Sequence, residues 1–292
     1  MMQKRQLVRD ISYAHSAQTR AGRALIKLME NATGRVGLIR RASGYEEDIE
    51  KGQDFWEVMV QRYGLPLEVA KGNIRNIPCD GPLILVANHP YGILDGLMMG
   101  HMLAAIRDDF KILANHVFQK TNDLSQVILP ISFDETKDAV KLNLSTRKIA
   151  LEYLTQGGAI GIFPGGTVST AVTPFSRPMD PGWRSFTARM ITKSNARIVP
   201  IYFDGHTSRM FQIASHLHST LRMGLLIKEF RNRVDLPVSV SIGEPISAQD
   251  IQRNNESSKT LMDFLRQKTY ELSPTPLETF EYGFEFEKRH KA

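Results

Sequence analysis

A histidine and an aspartate stand six positions apart in the run Val86-Ala-Asn-His-Pro-Tyr-Gly-Ile-Leu-Asp95-Gly96. An imidazole changes charge near neutral pH, so His89 can take a proton from a hydroxyl. A carboxylate at Asp95 can accept the second ring N–H, fix the tautomer and stabilise the imidazolium once the proton has moved. Gly92 allows the tight turn that such a pair needs. A second reading stays open at this point: His89, beside Pro90, caps a loop and does no chemistry.

Further along lies Gly161-Ile-Phe-Pro-Gly-Gly-Thr-Val-Ser169. Gly165 and Gly166 can present backbone N–H groups to an oxyanion or a phosphate, and Thr167 and Ser169 can add hydroxyls. The Gly-Lys-Ser/Thr ending of a nucleotide phosphate loop is missing. Alone, the segment also reads as an ordinary glycine turn after a strand. A hydrolase would use Ser169 or Thr167 with His89, but Gly166-Thr-Val-Ser-Thr does not fit the Gly-x-Ser-x-Gly frame of a nucleophile elbow. A third segment, Ile198-Val-Pro-Ile-Tyr-Phe-Asp-Gly205, carries a proline that suggests an edge or irregular strand. Its other reading is a core strand ending in an Asp-Gly turn.

These segments need a frame. Leu83 to Ala87 is a short continuous apolar run, as expected for a strand buried on both faces. Further strands are expected at 110–114, 127–131, 159–163, 198–203 and 238–242. Helices are expected at 96–107, at 134–156 with Asp134 as cap, at 183–194 and at 257–272. Before these, residues 1–62 read as helical and charged, with Ala21 to Met29 and Glu46 to Tyr63 as helical stretches broken by Gly34 and Gly44. Strand–helix alternation predicts an α/β fold, a mostly parallel central sheet covered by helices, with an N-terminal helical extension. Residues 63–250 form the expected catalytic domain, and residues 251–292 a closing helix and a polar tail of uncertain order.

Composition sets the outer bounds. Lys and Arg number 37 and Asp and Glu 31, a net +6. That excess suits a phosphate-bearing substrate, an anionic lipid surface or nucleic acid without choosing among them. No nucleic-acid module is recognisable, so no nucleic-acid partner is expected. Cys79 is the only cysteine, so the chain holds no internal disulfide. The N-terminus lacks the apolar core of a secretory signal, and no run reaches the ~18 apolar residues of a spanning helix. A cytoplasmic protein is expected, meeting a membrane from the side. Two segments have the composition for that contact, Arg23 to Arg41 and Met210 to Arg233, which mix Leu, Ile, Met and Phe with Lys and Arg. Each also reads as a helix packed on the domain with its basic side in water.

Taken in order, the segments resemble the glycerolipid (lysophospholipid) acyltransferase family, which includes 1-acyl-glycerol-3-phosphate acyltransferases. Asn88-His89 and Asp95 resemble the first block, Asn-His, four residues, then Asp. Phe163, Pro164, Gly166, Thr167 and Ser169 match the third, Phe-Pro-Glu-Gly-Thr-Arg-Ser, and Val199-Pro200-Ile201 the fourth. The second block is recognisable only as Val127 to Phe133, and its arginine is absent. Five residues separate His89 from Asp95, a spacing like that of hemolysin-like and aminolipid-type bacterial members. Gly165 and Val168 stand where the family has Glu and Arg, two side chains that help hold the acceptor's head.

The resemblance implies a glycerol-3-phosphate acyltransferase-like fold and transfer of a fatty acyl group from acyl-CoA or an acyl carrier protein to a lysolipid hydroxyl. His89 and Asp95 are then catalytic. Asn88, Gly92, Phe163, Pro164, Gly165, Gly166, Thr167 and Ser169 are expected around the substrate, with Arg177 and Arg184 as sources of positive charge. A thiolate leaves readily, so no metal or other cofactor is required. The expected acceptor is lysophosphatidic acid or, given the charge departures, a lyso-aminolipid such as a lyso-ornithine lipid. The expected place is the inner face of the cell membrane. A non-enzymatic lipid or anion binder, or a lipid ester hydrolase, is the alternative.

Overall fold

The structure is a computed structural model that describes residues 12–17, 19–115, 122–132 and 136–286. Four helices come first: α1 (Arg20–Thr33), α2 (Arg35–Ala42), α3 (Tyr45–Glu50) and α4 (Phe55–Tyr63). The expected single helix over 46–63 is two helices. Gly52 at φ 87° breaks it, and Asp54 caps α4 by accepting from the Glu57 N–H. Then follow β1 (Leu67–Gly72), β2 (Leu83–Ala87), α5 (Ile93–Ala104), β3 (Phe110–Asn115), α6 (Asn122–Ser125), β4 (Ile128–Ile131), α7 (Lys137–Thr155), β5 (Ala159–Ile162) and α8 (Ser185–Ser194). The chain continues through β6 (Arg197–Phe203), α9 (Arg209–Leu217), α10 (Ser219–Arg231), β7 (Val238–Ile242), α11 (Ala248–Arg253) and α12 (Ser258–Glu271). Asp134 lies outside the described residues; Thr136 caps α7, accepting from the Ala139 N–H.

The strands of the described residues form one sheet in the order β1-β7-β6-β2-β5-β3-β4. Neighbours run parallel except β6 and β7, which are antiparallel. The fold is therefore α/β with a mostly parallel sheet, as the strand–helix alternation predicts. Alternate residues of β2 explain its unbroken apolarity. Leu83, Leu85 and Ala87 join the core beneath α4 and α5, whereas Ile84 and Val86 join the core beneath α7, α8 and α12. On the first face α4 and α5 meet closely: a Cβ at Gly100 would fall 2.2 Å from the Trp56 ring.

Pro200 does not mark an edge. β6 lies between β2 and β7, so the core-strand reading holds. Its pairing with β7 begins only at Ile201, so the missing proline N–H falls where that partner strand has ended.

Met210 to Arg233 is not one surface helix. His218, extended at φ −163°, separates α9 from α10, and α10 is largely buried, packed between α1 and α9. The polar tail is fastened to the body. Arg266, 2% exposed, donates to the carbonyls of Phe280 and Glu281, and the Phe284 N–H donates to the Thr170 carbonyl.

Candidate active site

β2 delivers its C-terminal end into the loop 88–92, the place where open α/β sheets gather their ligands. Asn88 continues the strand with its side chain. Its Nδ2 donates to the Phe203 carbonyl at 2.9 Å, and its Oδ1 accepts from the Phe203 N–H at 2.7 Å. Asn88 is 2% exposed, so it fixes the loop to β6 and presents nothing to a substrate. Gly92, at φ 80°, turns the chain into α5.

That turn folds Asp95 back. At the third position of α5 its carboxylate Oδ2 accepts from the backbone N–H of Tyr91 at 2.8 Å and of Gly92 at 3.0 Å. The same oxygen lies 3.0 Å from His89 Nδ1. The ring N–H is not in line with the oxygen, so the contact is an ion-pair distance without full hydrogen-bond alignment. Asp95 is wholly buried, and burial raises its pKa above the ordinary aspartate value. His89 and the two backbone donors act in the opposite sense. Phe163 stacks on the other side of the imidazole, ring centroids 4.3 Å apart. His89 keeps 19% of its side chain open to solvent.

The glycine turn follows β5 and runs alongside. The Ser169 N–H donates to the His89 carbonyl at 2.8 Å. Gly166 takes φ 70°, and its N–H closes the turn on the Phe163 carbonyl. Gly166 is therefore not a free donor. The N–H groups of Gly165, Thr167 and Val168 have no hydrogen-bond partner among the described residues, and they are the donors this turn can offer a ligand. Ser169 is 2% exposed with its hydroxyl turned to Asp180. Pro164 accepts from the Arg184 N–H through its carbonyl.

The two arginines expected nearby are placed differently. Arg184 forks onto Glu285 of the tail at 2.8 and 3.1 Å, which neutralises its charge. Arg177 is exposed and reaches the Tyr202 hydroxyl at 3.4 Å, in the apolar cluster beneath the tail.

Two buried residues escaped the sequence reading. Asp180 is 0% exposed and accepts from Ser169 Oγ, the His89 N–H and Trp183 Nε1. Its carboxyl group would lie 3.2 Å from a Cβ at position 165. Arg222 of α10 is 3% exposed and donates to Thr167 Oγ1 and the Val168 carbonyl. Nothing in the Met179-Asp180-Pro181 surroundings signals the first. The second had a signal: Arg222 shares the buried stripe of α10 with Leu225, Leu226 and Glu229, a helical spacing that is otherwise mostly apolar.

A mostly parallel sheet, an imidazole and carboxylate in contact at a strand end, and a glycine turn beside them define an α/β enzyme suited to group transfer. The chain belongs to the acyltransferase family, whose model matches residues 39–277. It is 25% identical over 213 residues to a lyso-glycine lipid O-acyltransferase of Bacteroides thetaiotaomicron, covering 70% of this chain and 74% of that protein. It is 22% identical over 230 residues to the protein of the same description from Phocaeicola vulgatus, covering 76% and 78%. Among solved structures it is similar to the 1-acyl-sn-glycerophosphate (LPA) acyltransferase, PlsC, from Thermotoga maritima, with a TM-score of 0.47 and 17% identity, covering 89% of this chain and 85% of that one.

Proposed function

We propose that this chain transfers a fatty acyl group from an acyl thioester, carried by CoA or an acyl carrier protein, to the hydroxyl of a lysolipid, with His89 as base. The observation that carries this is the 3.0 Å approach of His89 Nδ1 to the buried Asp95 carboxylate beside the glycine turn. With Nδ1 facing Asp95, His89 Nε2 is the proton acceptor. It takes the hydroxyl proton as the oxygen attacks the thioester carbonyl. The tetrahedral oxyanion collapses, the C–S bond breaks, and the imidazolium returns its proton to the departing thiolate. The N–H groups of Gly165 and Thr167 support the negative charge that develops.

For the acceptor, we favour an amino-acid lysolipid with a hydroxyl on its acyl chain and a free carboxylate at its head. Two relatives described as lyso-glycine lipid O-acyltransferases support a glycine head over lysophosphatidic acid and over an ornithine head. So does the turn, which carries Gly165 and the buried Val168 in place of charged residues. The hydrolase reading finds no support in Ser169, whose hydroxyl is buried against Asp180.

The lipid substrate calls for a membrane face. No helix of the described residues is long and apolar enough to cross a membrane. Exposed apolar side chains instead gather on α9 (Met210, Ile213, Leu217) and on the neighbouring loop (Val172, Phe175). Arg209 and His216 bind carbonyls of that loop and hold it against α9. Leu25 and Leu28 are exposed on α1, among Arg20, Arg23 and Lys27. Apolar side chains among basic ones suit the headgroup region of the inner leaflet.

The test is purified protein with acyl-CoA or acyl carrier protein and each lysolipid, products read by mass spectrometry. The diacylated lipid is expected, and none with His89→Ala at unchanged circular dichroism. Release of free fatty acid would favour a hydrolase, and near-normal transfer by His89→Ala would remove the mechanism.

A further inference from the structure

Arg222 is a buried cation without a counter-ion. Its Nη1 donates to Thr170 Oγ1 at 2.7 Å and to Ser215 Oγ at 2.8 Å, and its Nη2 to Thr167 Oγ1 at 3.0 Å and to the Val168 carbonyl at 2.8 Å. The Phe286 ring covers the guanidinium at 4.3 Å. Every partner is neutral, and no carboxylate of the described residues lies within ion-pair distance. Glu229, seven residues on in the same helix, is held by the N–H and hydroxyl of Ser208. Burial pulls the Arg222 pKa down to about 9, so the group is charged at neutral pH. Burying such a charge is unfavourable unless an opposite charge joins it.

The hydrogen bonds show where that opposite charge is invited. Thr167 Oγ1 accepts from Arg222, so its own hydrogen must point elsewhere. No described residue accepts it, and Thr167 is only partly buried, in the turn that runs past His89. Donation by a guanidinium polarises the hydroxyl and strengthens it as a donor. The Val168 carbonyl, gripped by the same guanidinium, keeps the turn from swinging away.

We propose that Arg222 is the positioning residue for the acceptor's anionic head: acting through Thr167, it aims a polarised hydroxyl and an uncompensated positive charge at the head-group carboxylate. This rests on the amino-acid lysolipid reading above. The positive charge that the sequence assigns to Arg177 and Arg184 comes instead from α10, behind the turn.

N-octanoylglycine and its methyl ester both lack the reacting hydroxyl, so their binding is measured by calorimetry without turnover. The wild type is expected to bind the acid about tenfold to hundredfold more tightly than the ester. In Arg222→Gln and in Thr167→Val that ratio is expected to fall to about twofold or less, and the double variant should lose nothing more. Arg222→Lys keeps part of the preference, and Thr167→Ser most of it. With a hydroxyl-bearing glycine lipid as acceptor, the same variants should raise KM more than they lower kcat. A wild-type ratio near one overturns the proposal, as does a wild-type ratio retained in Arg222→Gln. Should Arg222→Gln fail to fold, Thr167→Val, which loses one hydroxyl at constant shape, decides alone. Preference for the acid in binding, with no acylation of the hydroxyl-bearing lipid, would leave Arg222 assigned and the acceptor reading wrong.

Discussion

The backbone N–H of His89 donates to the carboxylate of Asp180 at 3.2 Å, across 91 positions of sequence. The same oxygen accepts from Ser169 Oγ, and the Ser169 N–H returns to the His89 carbonyl at 2.8 Å. The histidine loop and the glycine turn are therefore joined at their backbones. The position of the imidazole relative to the turn's donors is set by this knot as well as by Asp95.

Asp180→Asn should loosen that knot. Trp183 Nε1 donates to Asp180 Oδ2 at 2.9 Å, and an amide there brings its own NH2 against the indole N–H or against Ser169. A loss of about 1–3 kcal/mol in urea unfolding is expected, with acyl transfer falling alongside it. Unchanged stability would show that the carboxylate is not needed as a multiple acceptor.

Asp95→Asn should lower turnover by roughly 10³–10⁴-fold, since the amide no longer favours the tautomer with its lone pair on Nε2. It also has a pH signature. Burial raises the pKa of Asp95 in the folded state, so its ionised form costs stability, fully so above that raised value. The cost is relieved as pH falls through it and is gone below the ordinary carboxylate value of about 3.9. The stability of the wild type relative to Asp95→Asn should therefore improve as pH falls from neutral toward that value. Denaturant titrations at stepped pH check it; a relative loss in acid would contradict the assigned shift.

Gly165→Glu should not turn the enzyme toward lysophosphatidic acid. The new Cβ would approach the Asp180 carboxyl to 3.2 Å and set a second carboxylate beside it. A destabilisation of about 1–3 kcal/mol is expected, with lower activity on every acceptor. A clear gain on lysophosphatidic acid would refute this.

Phe175→Ser and Leu217→Ser, 77% and 70% exposed in the native chain, should leave folding intact and weaken binding to anionic vesicles. Each lost apolar side chain is worth about 1.5–3 kcal/mol at full burial, so roughly tenfold or more per site is expected in cosedimentation. Wild-type vesicle binding by the double variant would place the membrane face elsewhere.

Much of the sheet was legible because its strands are short, apolar and punctuated. β2 and β7 match their expected bounds, and β3 to β6 fall within one residue of them at each end. β1 was missed because Leu67–Gly72 is an exposed edge strand with neither an apolar run nor alternation. α5 begins three residues earlier than expected, at Ile93, because Asp95 caps the helix from inside its first turn. In the site, the pairing of His89 with Asp95 was legible from spacing and residue type. The buried partners Asp180 and Arg222 were not, because the contact that brings each to the site, to His89 and to Thr167, spans more than 50 positions of sequence. The hydrogen bond that hides Ser169 is likewise a product of tertiary packing.

The indole of Trp183 gives the molecule a built-in optical probe. The chain has two tryptophans. Trp56 packs against Gly100 of α5, whereas Trp183 rests its N–H on the carboxylate that braces the histidine loop. Emission from a Trp56→Phe variant would then follow the brace alone, so that ligand binding beside the histidine loop could be read in real time without a labelled lipid.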